Sequence, residues 1–329
     1  MPGFFCIEIG KICSVSGLCR HMKYVRMKKD TFKGRKTMPG CTVCPRECGG
    51  NRAVTPGRCG VGEEFVVARA ALHHWEEPCI SGTKGSGAVF FSGCPLGCVY
   101  CQNDEISRGC FGKTISAGRL QNIFYELIAQ GAHNINLVSP THYTERLASL
   151  LRETKLSVPV VWNSSGYEKP QALALLPSSV SIFLPDFKYG DRELAVRYSA
   201  APDYFERASK AILYMAKRTG PPKFDEQGLL KSGVIIRHLV LPGAYENTRR
   251  VIDWVAETFA KGQVLFSLMG QYIPCGRAGE FEELKNPIGK DDYAWAVRYM
   301  TACGITNGYV QSREAASADF IPAFDGRGV

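Results

Sequence analysis

Three cysteines stand in one short loop, Phe90-Phe91-Ser92-Gly93-Cys94-Pro95-Leu96-Gly97-Cys98-Val99-Tyr100-Cys101, spaced C-x3-C-x2-C. With 14 cysteines in 329 residues, chance places such a triple in roughly 0.03 chains of this length. A structural zinc takes four ligands, and this loop has three. Iron–sulfur chemistry explains three. A four-iron cube normally takes one cysteine per iron, so three thiolates leave the fourth iron open to a chelating ligand. The amino and carboxylate groups of S-adenosylmethionine (SAM) suit that position. An electron passed to its sulfonium then breaks a C–S bond and releases a 5′-deoxyadenosyl radical. The cofactor carries the hard chemistry, and the protein has to orient it and keep water out.

A second set lies upstream: Cys41-Thr-Val-Cys44-Pro-Arg-Glu-Cys48, then Cys59. This C-x2-C-x3-C-x10-C spacing arises by chance in roughly 0.001 such chains. Four thiolates suit either a second [4Fe–4S] cluster or a structural zinc. Arg46 and Arg52 are placed to offset the charge of a thiolate site or to contact a substrate. Cys79, Cys110, Cys275 and Cys303 read as small buried hydrophobes. Cys6, Cys13 and Cys19 receive no role, and the adjacent His73 and His74 are expected to point apart.

A 45% apolar and 22% charged composition is that of a globular chain, which excludes wholesale disorder and fibrous structure. No apolar run approaches the ~20 residues of a membrane span. The first residues lack a basic n-region, and Glu8 and Lys11 interrupt any apolar core, so no secretory signal is read. A cytoplasmic, reducing location follows as the expectation, with thiols free for metal. The net charge is +9, partly concentrated over residues 21–36. That run reads as a solvated tail, and no aromatic-interleaved motif supports contact with nucleic acid. The charge suits an anionic ligand or an acidic protein partner.

The elements that must position these residues are legible from residue 87 onward. Continuous apolar runs over 88–92, 134–139, 158–163, 180–187, 233–241 and 264–269 read as strands covered on both faces. Amphipathic stretches over 117–130, 144–154, 169–176, 203–218 and 246–261 read as helices between them. A last helix covers 291–303, and a seventh strand covers 304–311. Ser116 suits an N-cap, Pro170 a first helical position, and Gly131, Gly220 and Gly262 helix ends. Repeated strand–helix units make a doubly wound sheet or a barrel, and six to seven units fall short of the full eight. Ligands bind at the strand C-terminal ends in either case. The chain divides into a basic, poorly ordered leader (1–40), a Cys-rich metal-binding module and linker (41–86), a barrel (87–312) and a C-terminal tail (313–329).

The three-cysteine loop with an aromatic at Tyr100, after the first strand of such a chain, resembles the radical SAM superfamily. The resemblance covers roughly residues 87–311 and implies an α/β fold, a partial (β/α)6 TIM-like barrel, with Cys94, Cys98 and Cys101 on a [4Fe–4S] cluster and Tyr100 beside the adenine. Trp162-Asn163-Ser164-Ser165-Gly166, Phe183-Leu-Pro-Asp186-Phe187-Lys188 and Val234-Ile-Ile-Arg237-His238-Leu-Val-Leu-Pro242-Gly243 resemble strand ends of pyruvate formate-lyase activating enzymes. Ser139-Pro-Thr-His142 and the extra N-terminal cysteines resemble their PflX-like branch. The resemblance implies cofactor contacts from Ser139, Thr141, Asn163, Ser165, Asp186, Lys188, Arg237 and His238. Arg237 would grip a carboxylate and Asn163, Ser164 and Ser165 a ribose. Gln271 and Tyr272 are weaker candidates, and His142 reads as a capping or core residue. The family's second strand ends Gly-Gly-Glu, whereas here it runs into Ser139-Pro-Thr-His142, with no carboxylate for the SAM amine. The activase resemblance implies a flavodoxin- or ferredoxin-like electron donor and a glycine of a protein partner as hydrogen donor. Competing readings are a non-catalytic iron–sulfur electron carrier and a zinc-stabilised nucleic-acid-binding module.

Overall fold

The computed structural model describes residues 4–6, 40–312, 317 and 321–329. Cys13, Cys19 and the basic run over 21–36 lie outside the described residues. In chain order the strands are β1 (Phe4–Cys6), β2 (Phe65–His73), β3 (Ser86–Phe91), β4 (Lys113–Ile115), β5 (Ile135–Val138), β6 (Val160–Ser164), β7 (Val180–Pro185), β8 (Lys223–Phe224), β9 (Leu230–Leu239), β10 (Leu265–Met269) and β11 (Gly308–Gln311). The helices are α1 (Pro78–Ser81), α2 (Asp104–Ser107), α3 (Ala117–Ala129), α4 (Thr144–Glu153), α5 (Pro170–Leu173), α6 (Arg192–Ser199), α7 (Tyr204–Thr219), α8 (Tyr245–Thr258) and α9 (Lys290–Ala302). The expected strands and helices all form. Ser116 caps α3 by accepting from the Arg119 N–H at 3.1 Å.

The sheet order is β1-β11-β10-β9-β7-β6-β5-β3-β2-β4, with β8 paired to β9. From β3 to β11 seven strands run parallel and stand in sequence order. That order decides between the two expected architectures. A doubly wound sheet reverses its direction of travel at a switch point, whereas six right-handed crossovers in one direction put the crossover helices on one face. The result is an arc of barrel with an empty-sided edge, an α/β fold of the partial-barrel type.

Register separates the two faces. The helix side carries residues such as Val89, Leu137, Trp162, Phe183, Ile236 and Phe266 in the main hydrophobic cluster. The inner side carries Val161, Ile182, Leu184, Ile235, Leu265 and Tyr309, which pack with Cys79 and Ile80 of α1. Both faces are buried, which is why the strands read as continuous apolar runs.

Three expectations about boundaries are corrected. The sheet begins at Phe65, not near residue 87, because β2 pairs antiparallel with β3 and α1 plugs the barrel floor. The irregular module is therefore confined to residues before β2. The leader contributes β1, which pairs antiparallel with β11. Of the tail, the described residues 321–329 dock on β2, where the Gly326 N–H donates to Ala68 O at 3.0 Å and Ala70 N–H to Arg327 O at 2.9 Å. Helix α6, β4 and β8 were not anticipated.

Candidate functional site

β3 ends at Phe91, and the chain turns at Gly93 into the three-cysteine loop. Gly93 has φ +86°, and a Cβ there would stand 2.7 Å from the carbonyl oxygen of Cys59. Only glycine permits that approach. Cys94, Cys98 and Cys101 all line a cavity of about 190 Å³ at the C-terminal ends of the parallel strands, with Tyr100, Ser139, Asn163, Ser164, Ser165, Asp186, Lys188, Arg237, Gln271 and Tyr272. Among the described residues no three His, Cys, Asp or Glu side chains already stand at metal-coordination spacing. The donor chemistry fits a cluster nonetheless. Burial, then the neighbouring Cys98, pushes the Cys101 thiol up to about 12, and the Ser107 hydroxyl donates to its sulfur at 3.3 Å. Thiols this reluctant to ionise in an apolar setting become thiolates when a bound metal displaces their protons to solvent.

Tyr100 is buried and meets Tyr189, Tyr198 and Tyr272 edge-on, with centroids 5.8–6.2 Å apart. Asp186 and Lys188 are two residues apart, so both face inward, and they pair at 2.7 Å. Burial pushes the Asp186 carboxyl up, but the Arg237 and Lys188 cations outweigh it and hold it below the usual carboxylate range. Ser139 follows β5 with φ +57°, a left-handed conformation rare for serine.

Arg237 differs from its expected role. Its Nε donates to Asp186 Oδ1 at 2.8 Å, Nη1 to Glu76 Oε2 at 2.9 Å and Nη2 to Asn163 Oδ1 at 2.7 Å. The guanidinium is thus already engaged by two carboxylates of the chain. Asn163 is likewise occupied, its amide donating to Glu76 Oε1 at 3.0 Å. Two expected contacts are not at the cavity at all. Thr141 donates to Glu168 Oε1 at 2.7 Å behind it. His238 alternates to the helix side of β9, where its ring nitrogens meet Phe187 O and Thr248 Oγ1 at 2.7 and 3.0 Å. One-residue alternation sends the neighbour of Arg237 to the opposite face. His142, read as a core or capping residue, is buried, with Nε2 2.9 Å from Ser92 O.

The cavity also receives residues that the sequence reading passed over. His73, His74, Trp75, Glu76 and Glu77, between β2 and α1, line it from the strand N-terminal side. Both His73 and His74 line it, with the His73 ring edge-on to Phe90 at 6.0 Å and the His74 ring beside Gly85. The signal was present: His-His-Trp-Glu-Glu-Pro is a dense polar cluster between an apolar run and a helix-starting proline. Ile321 and Pro322 of the C-terminal segment close another side.

The four upstream cysteines form a compact unit beside the loop. Burial pushes the Cys44 thiol up to about 11, with Cys41, Cys59 and Cys48 each close enough to add to the shift. Cys48 is held low, because the backbone N–H groups of Arg58, Gly50 and Cys48 itself outweigh burial. The backbone of Cys94 donates to Cys59 O at 3.1 Å, joining the two cysteine sets directly. Arg52 stands close enough to Cys48 and Cys59 to favour their thiolates, and Arg46 faces Cys44, but Arg46 spends its donors on backbone carbonyls. It donates to the carbonyls of Pro95 (2.8 Å), Leu96 (3.2 Å) and Ser199 (2.6 Å) and to Ala200 O, and lies over the Tyr167 ring. Arg52 similarly holds the carbonyls of His142 and Gly62.

Among known proteins, the uncharacterized protein MJ0674 of Methanocaldococcus jannaschii is 30% identical over 273 residues, which cover 80% of this chain and 73% of that protein. The chain belongs to that protein's family. Residues 81–178 match a 4Fe-4S single cluster domain. That stretch contains Cys94, Cys98 and Cys101 and none of the four cysteines at 41–59. Crystal structures of Streptococcus suis SuiB align with TM-scores of 0.46 for the form bound to S-adenosylmethionine and 0.44 for the form bound to precursor peptide SuiA, at 14% and 15% identity. The alignments take in 67% and 63% of this chain, and the chain spans under half of SuiB (48% and 43%). Among the described residues no helix is long and apolar enough to cross a membrane.

Proposed function

We propose that this protein is a radical SAM enzyme. The observation that carries the reading is that the three thiols of a C-x3-C-x2-C loop share one cavity with Tyr100, Asp186 and Lys188 at the strand C-terminal ends. The match to a 4Fe-4S single cluster domain over the same loop supports it. Bound there, a [4Fe–4S] cluster would supply one electron to SAM, giving methionine and a 5′-deoxyadenosyl radical that takes a hydrogen atom from substrate to become 5′-deoxyadenosine. Cys94, Cys98 and Cys101 would hold the cluster. Tyr100 offers the adenine an aromatic wall. Lys188, paired with Asp186 at 2.7 Å, keeps further N–H donors for the SAM carboxylate. Ser139 and Ser165 offer hydroxyls, and the Ser165 Oγ has no partner among the described residues. The Arg237–Asp186–Glu76 network holds these strand ends in register. Buried walls on both sides keep water from the radical.

The electron would come from a flavodoxin- or ferredoxin-like protein. The activase-like reading makes a glycine of a protein partner the hydrogen donor. We assign the Cys41, Cys44, Cys48 and Cys59 set to a second metal, an iron–sulfur cluster or zinc. The test is anaerobic reconstitution, metal and sulfide analysis, then reduction with dithionite in the presence of SAM. Formation of 5′-deoxyadenosine, absent in Cys98→Ala, is expected, and intact SAM with iron fully loaded would overturn the reading. About eight irons per chain identify the second site as a cluster, and about four irons with one zinc identify it as zinc.

A further inference from the structure

We propose that the inner end of the cavity is a binding site for a protonated primary amine, with Glu77 as its carboxylate. Glu77 is 1% exposed and lines the cavity, and neither carboxyl oxygen has a hydrogen-bond partner among the described residues. Buried carboxyl groups are ordinarily satisfied, so one that is not marks a place prepared for something else. The surrounding charges are already matched. Arg237 is paired with Glu76 and Asp186, and Lys188 with Asp186. Burial keeps His73 neutral, pushing it down to about 4. Glu77 is the carboxylate left over, facing Arg237, Glu76 and the Ser267 hydroxyl.

Gln311 Oε1 on β11 lines the same cavity and has no partner among the described residues, and the Ser267 hydroxyl on β10 faces Glu77. A primary ammonium brings three donors and one positive charge, which is the complement of this set. A neutral hydroxyl would leave the charge unmatched. The site enters from the β2–α1 turn at the barrel floor, whereas the cysteine loop enters from the strand C-terminal ends. The β2–α1 turn and the cysteine loop thus form separate walls of one cavity. Burial, which outweighs the nearby Arg237, holds the carboxyl up to about 7, so near neutral pH it ionises as a cationic guest binds, its proton passing to solvent.

This rests on the cavity being the reaction chamber proposed above, but its test does not require turnover. Anaerobically reconstituted protein is titrated calorimetrically with n-butylammonium chloride and with 1-pentanol as the neutral probe. The expected result is ammonium binding about tenfold tighter in the wild type than in Glu77→Gln, with the alcohol indifferent to the substitution. Equal ammonium affinity in both overturns the site. Titration with SAM then separates two sources of amine. If only butylammonium weakens in Glu77→Gln, the amine belongs to a second ligand; if SAM weakens by the same factor and excludes butylammonium, the amine is that of SAM. Both outcomes uphold an amine site. Because an unpartnered buried carboxyl stabilises nothing, Glu77→Gln should melt no lower than the wild type, and unfolding of that variant would mean a structural carboxylate and sink the proposal. Glu77→Asp, which keeps the charge, should keep most of the ammonium affinity. Formation of 5′-deoxyadenosine is measured separately, so a protein that binds ammonium without cleaving SAM refutes only the radical reading.

Discussion

Glu168 shows how a buried carboxyl can govern stability from behind the site. Its Oε1 accepts from Trp162 Nε1 at 2.8 Å and Thr141 Oγ1 at 2.7 Å, and Oε2 has no partner among the described residues. Burial outweighs those donors and raises it to about 7. A folded value above the unfolded one means the folded state holds its proton longer. Stability from this group is therefore full below about 4.5 and is lost as pH rises to about 7, by roughly 3 kcal/mol. Glu168→Gln should flatten that part of the pH–stability curve, read by urea melts between pH 4.5 and 8. Unchanged curvature would mean that the carboxyl is ionised throughout. His142 acts in the opposite direction. Burial and then Arg52 hold it down to about 3, so its contribution is present above about 6.5 and disappears as pH falls toward 3. Arg237 is the most exacting residue of the set. Arg237→Ala leaves Glu76 buried without a cation and Asp186 with Lys188 alone, at an expected cost of about 3–5 kcal/mol in the same melts. Arg237→Met should not restore the loss, because the carboxylates remain.

Between elements, the decisive contact joins the upstream module to the cysteine loop. The Arg46 guanidinium spends its donors on carbonyls of the loop and of the α6–α7 turn. Gly93 lets the Cys59 carbonyl approach the Cys94 N–H. Hydrogen bonds from a charged donor are each worth roughly 1.5–3 kcal/mol net, so Arg46→Ala should loosen the loop well before it unfolds the barrel. Hydrogen exchange should then accelerate at residues 94–97 while β5, β6 and β7 stay protected. Equal protection in both proteins would show that the module merely rests on the loop. Gly93→Ala forces a Cβ onto the Cys59 carbonyl at a positive φ, and lower iron retention with an intact barrel spectrum is the expected outcome.

Across the whole molecule, the arc is closed by pieces from both chain ends. The C-terminal residues 321–329 return to β2 through two backbone hydrogen bonds and the Arg69–Asp325 pair at 2.8 Å, and Phe324 meets Phe90 edge-on at 5.6 Å. Ile321 and Pro322 then wall the cavity. Deleting residues 321–329 should lower the melting temperature by several degrees, on the order of 2–4 °C per kcal/mol for a chain of this size. It should also open the cavity to water. If SAM is cleaved there, the truncated protein should release 5′-deoxyadenosine without a hydrogen-donor substrate at a raised rate.

The cysteine spacing by itself pointed to an iron–sulfur site, because ligand number and separation are local properties of a chain. The strand–helix alternation was legible for a similar reason: strands buried on both faces must be apolar throughout. That Asp186 and Lys188 share a face follows from strand alternation alone, and so does the departure of His238 from the side of Arg237, although the sequence reading placed both at the site. Only the tertiary structure decided the rest. Glu76 and Glu77 lie over 100 residues from Arg237 and Ser267, and no local pattern records that a floor-plugging turn brings them together. Arg237 looked like a ligand-binding cation because its partners come from β7, from β6 and from that turn. Its charge is cancelled by the fold, and Glu77, which carried no motif, is the charge the fold leaves unmatched.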